Sequence, residues 1–119
     1  RECCKKYPSV KGILVQPEGA KLVGEEQQYK IEGIGMDAYS PFMTKSFVSS
    51  IEIVSDQEAF YMAQKLAREK ALLVGSSSGA AMVAALRRLR QAENEGGHRT
   101  IVTLFPDRAE RYFQTQLFQ

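Results

Sequence analysis

Residues 50–93 narrow the possible folds more than any other part of the chain, because their hydrophobic period switches back and forth along the segment. SIEIV, at 50–54, is a short apolar-rich run suited to a strand. Ser55 and Glu58 then form an S-x-x-E capping box, and the spacing predicts a helix from there to about Lys70. Ala59, Ala63, Leu66 and Ala67 fall on one face of that helix, whereas Gln57, Gln64, Lys65 and Arg68 lie largely on others. ALLV, at 71–74, is a second apolar run, and Ser78 or a neighbouring serine is expected to cap a helix reaching about Glu93. This helix is apolar nearly all round over 79–86 and basic at Arg87, Arg88 and Arg90, so its start should be buried and its end exposed. Strands alternating with helices at this spacing argue for a parallel sheet.

The rest of the chain fits the same plan. GILV, at 12–15, is a continuous apolar run of the kind buried on both faces of a parallel sheet. Residues 1–7 read as the last turns of a helix ended by Pro8, since a proline disfavours helical geometry in the residue before it. After Pro17 a polar segment, with a short helix expected around 20–23, runs to Gly33 and Gly35. ENEGGHR is a loop, TIVTLF at 100–105 a further strand, and PDRAERYFQTQLF a loop leading into a short helix. The fold expected is α/β, a parallel-sheet three-layer arrangement. With 119 residues, 44% hydrophobic and 25% charged, the chain can bury one real core.

Charge and cysteine usage exclude some classes. The formal charge of +2 is small and dispersed, which argues against nucleic acid or a membrane surface as partner. Cys3 and Cys4 are neighbours with no other cysteine to pair with, which points to a reducing compartment. No apolar run approaches the ~20 residues a membrane-spanning helix needs. The N-terminus, RECCKKYPS, lacks both a signal-peptide core and a starting Met, so the chain is expected to be part of something longer.

GSSSG, at 75–79, admits three readings. It satisfies G-x-S-x-G with Ser77 as nucleophile, and Glu93 or Glu95 and then His98 follow in acid-then-histidine order. Yet Ser77 follows the C-terminal end of one strand, while His98 precedes the N-terminal end of the next. In a parallel sheet these are opposite edges, roughly 20 Å apart along the intervening helix. A Ser–His hydrogen bond is then out of reach. Two readings stay open on local grounds: an anion cradle at a helix N-terminus, and a plain capped helix behind a tight turn.

Taken in order, GILVQPEGAKLV, YKIEGIGMD, VSDQEAFYMAQKLAREKALLVGSSSGAAMVAAL and IVTLFPDRAERYFQTQLF closely resemble the C-terminal part of the cysteine synthase and cystathionine β-synthase family. These are pyridoxal-phosphate enzymes of fold type II, the tryptophan-synthase-β type. The resemblance implies that Ser77 hydrogen-bonds the pyridine nitrogen of the cofactor. A hydroxyl does not hold that nitrogen protonated, and the resulting weaker electron sink suffices for β-elimination. In the family, serine or an O-activated serine loses its β-substituent to give an aminoacrylate, to which a sulfur nucleophile adds. Gly33, Ile34 and Gly35 match the loop lining the substrate side of the cofactor, and Pro106 and Asp107 match the loop beside the pyridine ring. Arg108 stands where serine is common in the family, and Ala109 where glycine is. Met36, Asp37, Ser40 and Pro41 depart from the family's usual continuation after GIG.

Other family elements have no counterpart here. The Schiff-base lysine, the asparagine that meets the cofactor's 3′-oxygen, the T-S-G-N-T loop and the phosphate loop all lie upstream of the matched region. Lys21, Lys30, Lys45, Lys65 and Lys70 sit in contexts unlike that of the catalytic lysine. Residues 1–119 are therefore expected to be the C-terminal portion of the cofactor-binding large domain, with no catalytic residue and no metal ligand of their own. An N-terminal complement would supply the lysine and the phosphate loop, the substrate would be a small amino acid, and the complete enzyme would be a homodimer. The alternative is a stand-alone, non-catalytic α/β module that binds a small anion or a protein partner.

Overall fold

A computed structural model describes residues 5–43, 45–112 and Leu117. Two strands, β1 (Gly12–Pro17) and β2 (Val48–Val54), pair in parallel, with Leu14 opposite Ile51 and Pro17 opposite Val54. The register slips between Gly12 and Ile13, where β1 comes so close to β2 that a Cβ on Gly12 would collide with the Phe47 carbonyl. Residues 18–47 connect the strands with only short 3-10 turns, Lys21–Val23 and Lys45–Phe47, among the described residues. The first turn falls within the short helix expected around 20–23.

Helix α1 (Asp56–Lys70) starts as its sequence predicts. The Ser55 hydroxyl accepts the Glu58 backbone N–H, and Glu58 accepts the Ser55 backbone N–H in return, closing the capping box. Ala59, Ala63 and Leu66 are its buried face. The helix ends at Ala71, whose positive φ of 55° turns the chain and whose N–H bonds the Leu66 carbonyl.

Helix α2 (Ser76–Asn94) crosses α1 closely, and a Cβ on Gly79 would collide with the Ala59 carbonyl. The core gathers Ile31, Val54, Ala59, Ala80 and Val83 where α2 meets α1 and β2. A second cluster joins Ala63, Leu66, Val74 and Leu117. The exposed basic end expected of α2 is only half realised. Arg90 is exposed, but Arg87 pairs with Glu58 and donates to the Ile53 carbonyl, while Arg88 reaches Glu52 at 2.6 Å and the Ser50 hydroxyl at 2.8 Å.

Residues 71–74 and 100–105 do not form the expected strands. Val74 makes one isolated antiparallel bridge, to Arg108, supported by the Ala109 N–H on the Leu73 carbonyl at 3.1 Å. A strand exists only when a neighbour takes its ladder hydrogen bonds, and neither segment has one among the described residues. Their apolar side chains lie open: Leu73 is 52% exposed, Val102 91% and Leu104 75%. The expected N-terminal helix is seen only at Lys5 and Lys6, with Tyr7 already out of it, and the expected C-terminal helix as a 3-10 turn, Ala109–Tyr112; residues 1–4, with Cys3 and Cys4, and residues 113–116 lie outside the described residues.

Candidate functional site

The site forms at the N-terminus of α2, where backbone N–H groups lack intrahelical partners and the helix dipole is positive. Gly75 is the N-cap and supplies no side-chain cap, so Ser76, Ser77 and Ser78 are the first helical residues rather than capping ones. Gly75 itself has ordinary extended backbone (φ −77°, ψ 175°), and its place at the cap leaves the serine hydroxyls to other partners. All three serines are buried. The Ser76 hydroxyl accepts the Glu32 N–H at 3.1 Å. Ser78 Oγ is enclosed without a partner. Among the described residues no hydrogen bond engages the Ser77 hydroxyl.

Over this helix end lies the glycine segment of the connection between β1 and β2. Gly33 (φ 82°) and Gly35 (φ 109°) adopt left-handed backbone that other residues resist. A Cβ built on Gly33 would sit 3.9 Å from Ser77 Oγ, so the bare glycine backbone and that hydroxyl face each other directly. At Gly35 a Cβ would collide with the Tyr29 ring.

The segment is fastened by side chains that sequence reasoning did not single out. The Asp56 carboxylate accepts the Lys30 N–H at 2.8 Å and the Ile31 N–H at 3.0 Å, and Ile31 is itself buried in the core. Ser76 takes the Glu32 N–H, and Gln16, buried at the end of β1, accepts the Met36 N–H through Oε1 at 2.9 Å. One signal was available in the sequence: Gln16 is a polar residue directly after an apolar strand run, where burial demands a partner. Asp56 and Ser76 carried no such signal, since acidic and hydroxyl residues are ordinary in a helix's first turn.

The bridge between Val74 and Arg108 brings Pro106 and Asp107 beside residue 74, two positions ahead of Ser76. Asp107 is half-buried there and Pro106 exposed. The Arg108 side chain turns outward, 83% exposed and 4.0 Å from Glu110. Of the sequence-predicted residues, Ser77 and Gly33 are thus in direct apposition and Ile34 and Gly35 continue the same segment, whereas Pro106 and Asp107 are brought only beside residue 74. His98 lies beyond the far end of α2, which at 19 residues is about 28 Å long, so the separation argued from the sheet edges holds. Glu58, which anchors the opposite side of α1, is held below its usual pKa by the Ser55 backbone hydrogen bond and also by Arg87, against an opposing desolvation. A shallow groove of about 460 Å3 lined by Gln57, Glu58, Phe60, Tyr61 and Gln64 lies on α1 and shares no residue with the site.

A buried hydroxyl at a helix N-terminus, with no partner among the described residues and a glycine opposite, suits a neutral ring nitrogen that accepts one hydrogen bond. That donor fits the pyridine side of pyridoxal phosphate.

Residues 1–107 match the sequence pattern of the family described as "Pyridoxal-phosphate dependent enzyme". The chain is 40% identical over 116 residues to an O-acetylserine dependent cystathionine beta-synthase of Bacillus subtilis, covering 97% of this chain and 37% of that one. It is 40% identical over 115 residues to a cysteine synthase of Helicobacter pylori, covering 96% and 37%. The crystal structure of an O-acetylserine dependent cystathionine beta-synthase from Helicobacter pylori superposes with a TM-score of 0.87 at 40% identity, over 98% of this chain and 37% of that one. The O-acetyl serine sulfhydrylase isoform 3 of Entamoeba histolytica gives 0.87 at 35% identity, over 97% and 34%. The chain thus spans a little over a third of the length of these relatives.

Proposed function

The chain belongs to the pyridoxal-phosphate dependent enzyme family, and on that premise we propose that residues 1–119 form the C-terminal portion of the cofactor-binding large domain of a β-replacement enzyme. The enzyme makes cysteine or cystathionine from serine or an O-activated serine and a sulfur nucleophile. The apposition of Gly33 and the Ser77 hydroxyl at the N-terminus of α2 carries this reading. When bound, pyridoxal phosphate supplies the electron sink that lets a β-substituent leave an amino acid.

This chain's own residues hold and orient rather than attack. Ser77 donates its hydroxyl hydrogen to the pyridine nitrogen and leaves that nitrogen unprotonated, because a hydroxyl is too weak an acid to transfer its proton there. Gly33, Ile34 and Gly35 present bare backbone to the amino-acid substrate. Pro106 and Asp107 wall the ring's edge. The covalent lysine and the phosphate loop come from an N-terminal complement, and the exposed apolar segments around Leu73 and Val102 support a chain whose sheet continues into other polypeptide. The assembled enzyme is a cytoplasmic homodimer. Among the described residues, no helix is long and apolar enough to cross a membrane.

The test is pyridoxal-phosphate titration of the protein together with its lysine-bearing complement. An absorption band of the lysine-bound cofactor, altered in Ser77→Ala, is the expected result. A stable monomer that gives no band with any such complement would favour the stand-alone binding module instead.

A further inference from the structure

The three-residue glycine segment is bracketed by two buried side chains that do no other work in the fold. Immediately before Gly33, the Glu32 N–H is held by Ser76 Oγ at 3.1 Å; immediately after Gly35, the Met36 N–H is held by Gln16 Oε1 at 2.9 Å. Ser76 is 2% exposed and Gln16 1%. Ser76 does not cap α2, whose N-cap is Gly75 and lacks any side-chain bond. Gln16 Oε1 lies outside the backbone ladder between β1 and β2. Burying a polar side chain is unfavourable unless it finds hydrogen-bond partners, and the acceptor oxygen of each is spent on this one segment. That segment holds two glycines at positive φ, the most freely varying backbone in a chain, and it keeps a single shape only if something outside it fixes both ends.

We propose that Gln16 and Ser76 are positioning residues that set the Gly33–Gly35 backbone against Ser77, and thereby tune how tightly the amino-acid substrate is held. This rests on the function proposed above. Because Ser76 is the residue next to Ser77, one end of the bracket moves with the ring-contacting hydroxyl itself. The other end is tied to β1, so the segment spans two elements and registers their separation. Asp56 fastens the chain further upstream, at Lys30 and Ile31, and does not fix the glycines directly.

The experiment uses this chain assembled with its lysine-bearing N-terminal complement and loaded with pyridoxal phosphate, comparing wild type with Ser76→Ala and Gln16→Met. Two readouts are taken: amide hydrogen exchange over residues 32–36, and steady-state kinetics with O-acetylserine and sulfide. Losing one bracket bond should speed exchange there about three- to tenfold and raise KM for O-acetylserine by a similar factor, with kcat within about twofold. Gln16→Glu keeps an acceptor oxygen for Met36 and should restore both values toward wild type. Ser76→Ala removes one oxygen from a helix terminus and keeps the fold even where Gln16→Met does not. Unchanged exchange and KM in a folded Ser76→Ala protein would overturn the proposal, as would a fall in kcat at constant KM. Wild-type protein that takes up no pyridoxal phosphate overturns the proposed function instead, and the exchange measurement still decides whether the two side chains fix the segment.

Discussion

The two ends of α2 hold their surroundings with opposite chemistry. At the first turn, buried serines present neutral hydroxyls, one spent on the Glu32 N–H and one facing Gly33. Near the last turns, Arg87 and Arg88 fasten the helix to β2 and α1 through Glu52, Glu58, Ser50 and the Ile53 carbonyl. Half-exposed charged pairs tolerate many geometries and are worth little singly, so several fasten one helix. A buried neutral hydrogen bond is strict in direction, and leaving its partner unsatisfied is costly. Redundancy sits where the fold is clasped, and directional precision where a ligand would be read.

Substitutions at either end should separate these roles. Ser77→Ala should lower kcat/KM of the complete enzyme by about 5- to 100-fold, the cost of leaving a buried acceptor unsatisfied, roughly 1–3 kcal/mol, while the melting temperature hardly moves. Activity assays beside thermal unfolding check it, and a large loss of stability would remove the contrast. Gly79→Ala acts through packing instead: its Cβ meets the Ala59 carbonyl, so α2 must lift from α1 at a cost of about 1–3 kcal/mol in denaturant unfolding.

Arg88→Ala should cost about 1–2 kcal/mol, since the Glu52 side chain it abandons is only 16% exposed, with specific activity per folded molecule unchanged. Raised salt should weaken the arginine end more than the serine end, an asymmetry that residue-resolved exchange can read. Acid gives the gentlest probe. The folded-state pKa of Glu58 lies below its reference value of 4.5, so its stabilising contribution is complete above that pH and is lost as pH falls through the lowered value. Glu58 and Arg87 are 43% and 37% exposed, so solvent screening keeps the effect well under about 1 kcal/mol. Glu58→Gln should flatten this part of the acid-unfolding curve.

What could be read from the sequence was local. The Ser55–Glu58 box and the buried face of α1 follow from residues three or four apart, and both stand as expected. The distance between Ser77 and His98 follows from the length of the helix between them, not from the parallel strands expected on either side of it. Strand pairing is not local, and 71–74 and 100–105 were read as strands from composition although no ladder forms on them. Composition points to Ser78 or a neighbouring serine as the cap because serine usually is one, whereas Gly75 takes that position. The anchors of the glycine segment were unreadable for a plainer reason: Gln16 and Met36 are 20 residues apart, Glu32 and Ser76 are 44, and no periodicity connects them.

TIVTLF, at 100–105, has one more consequence. It is uncharged, rich in β-branched and aromatic residues, and without proline, which is the composition of a segment that stacks on copies of itself. Arg99 stands directly before it and Pro106 directly after it, a charge and a chain-breaker of the kind that interrupt such stacking. In an exposed segment of this composition, Pro106 is a chain-breaker of the kind that limits stacking between copies.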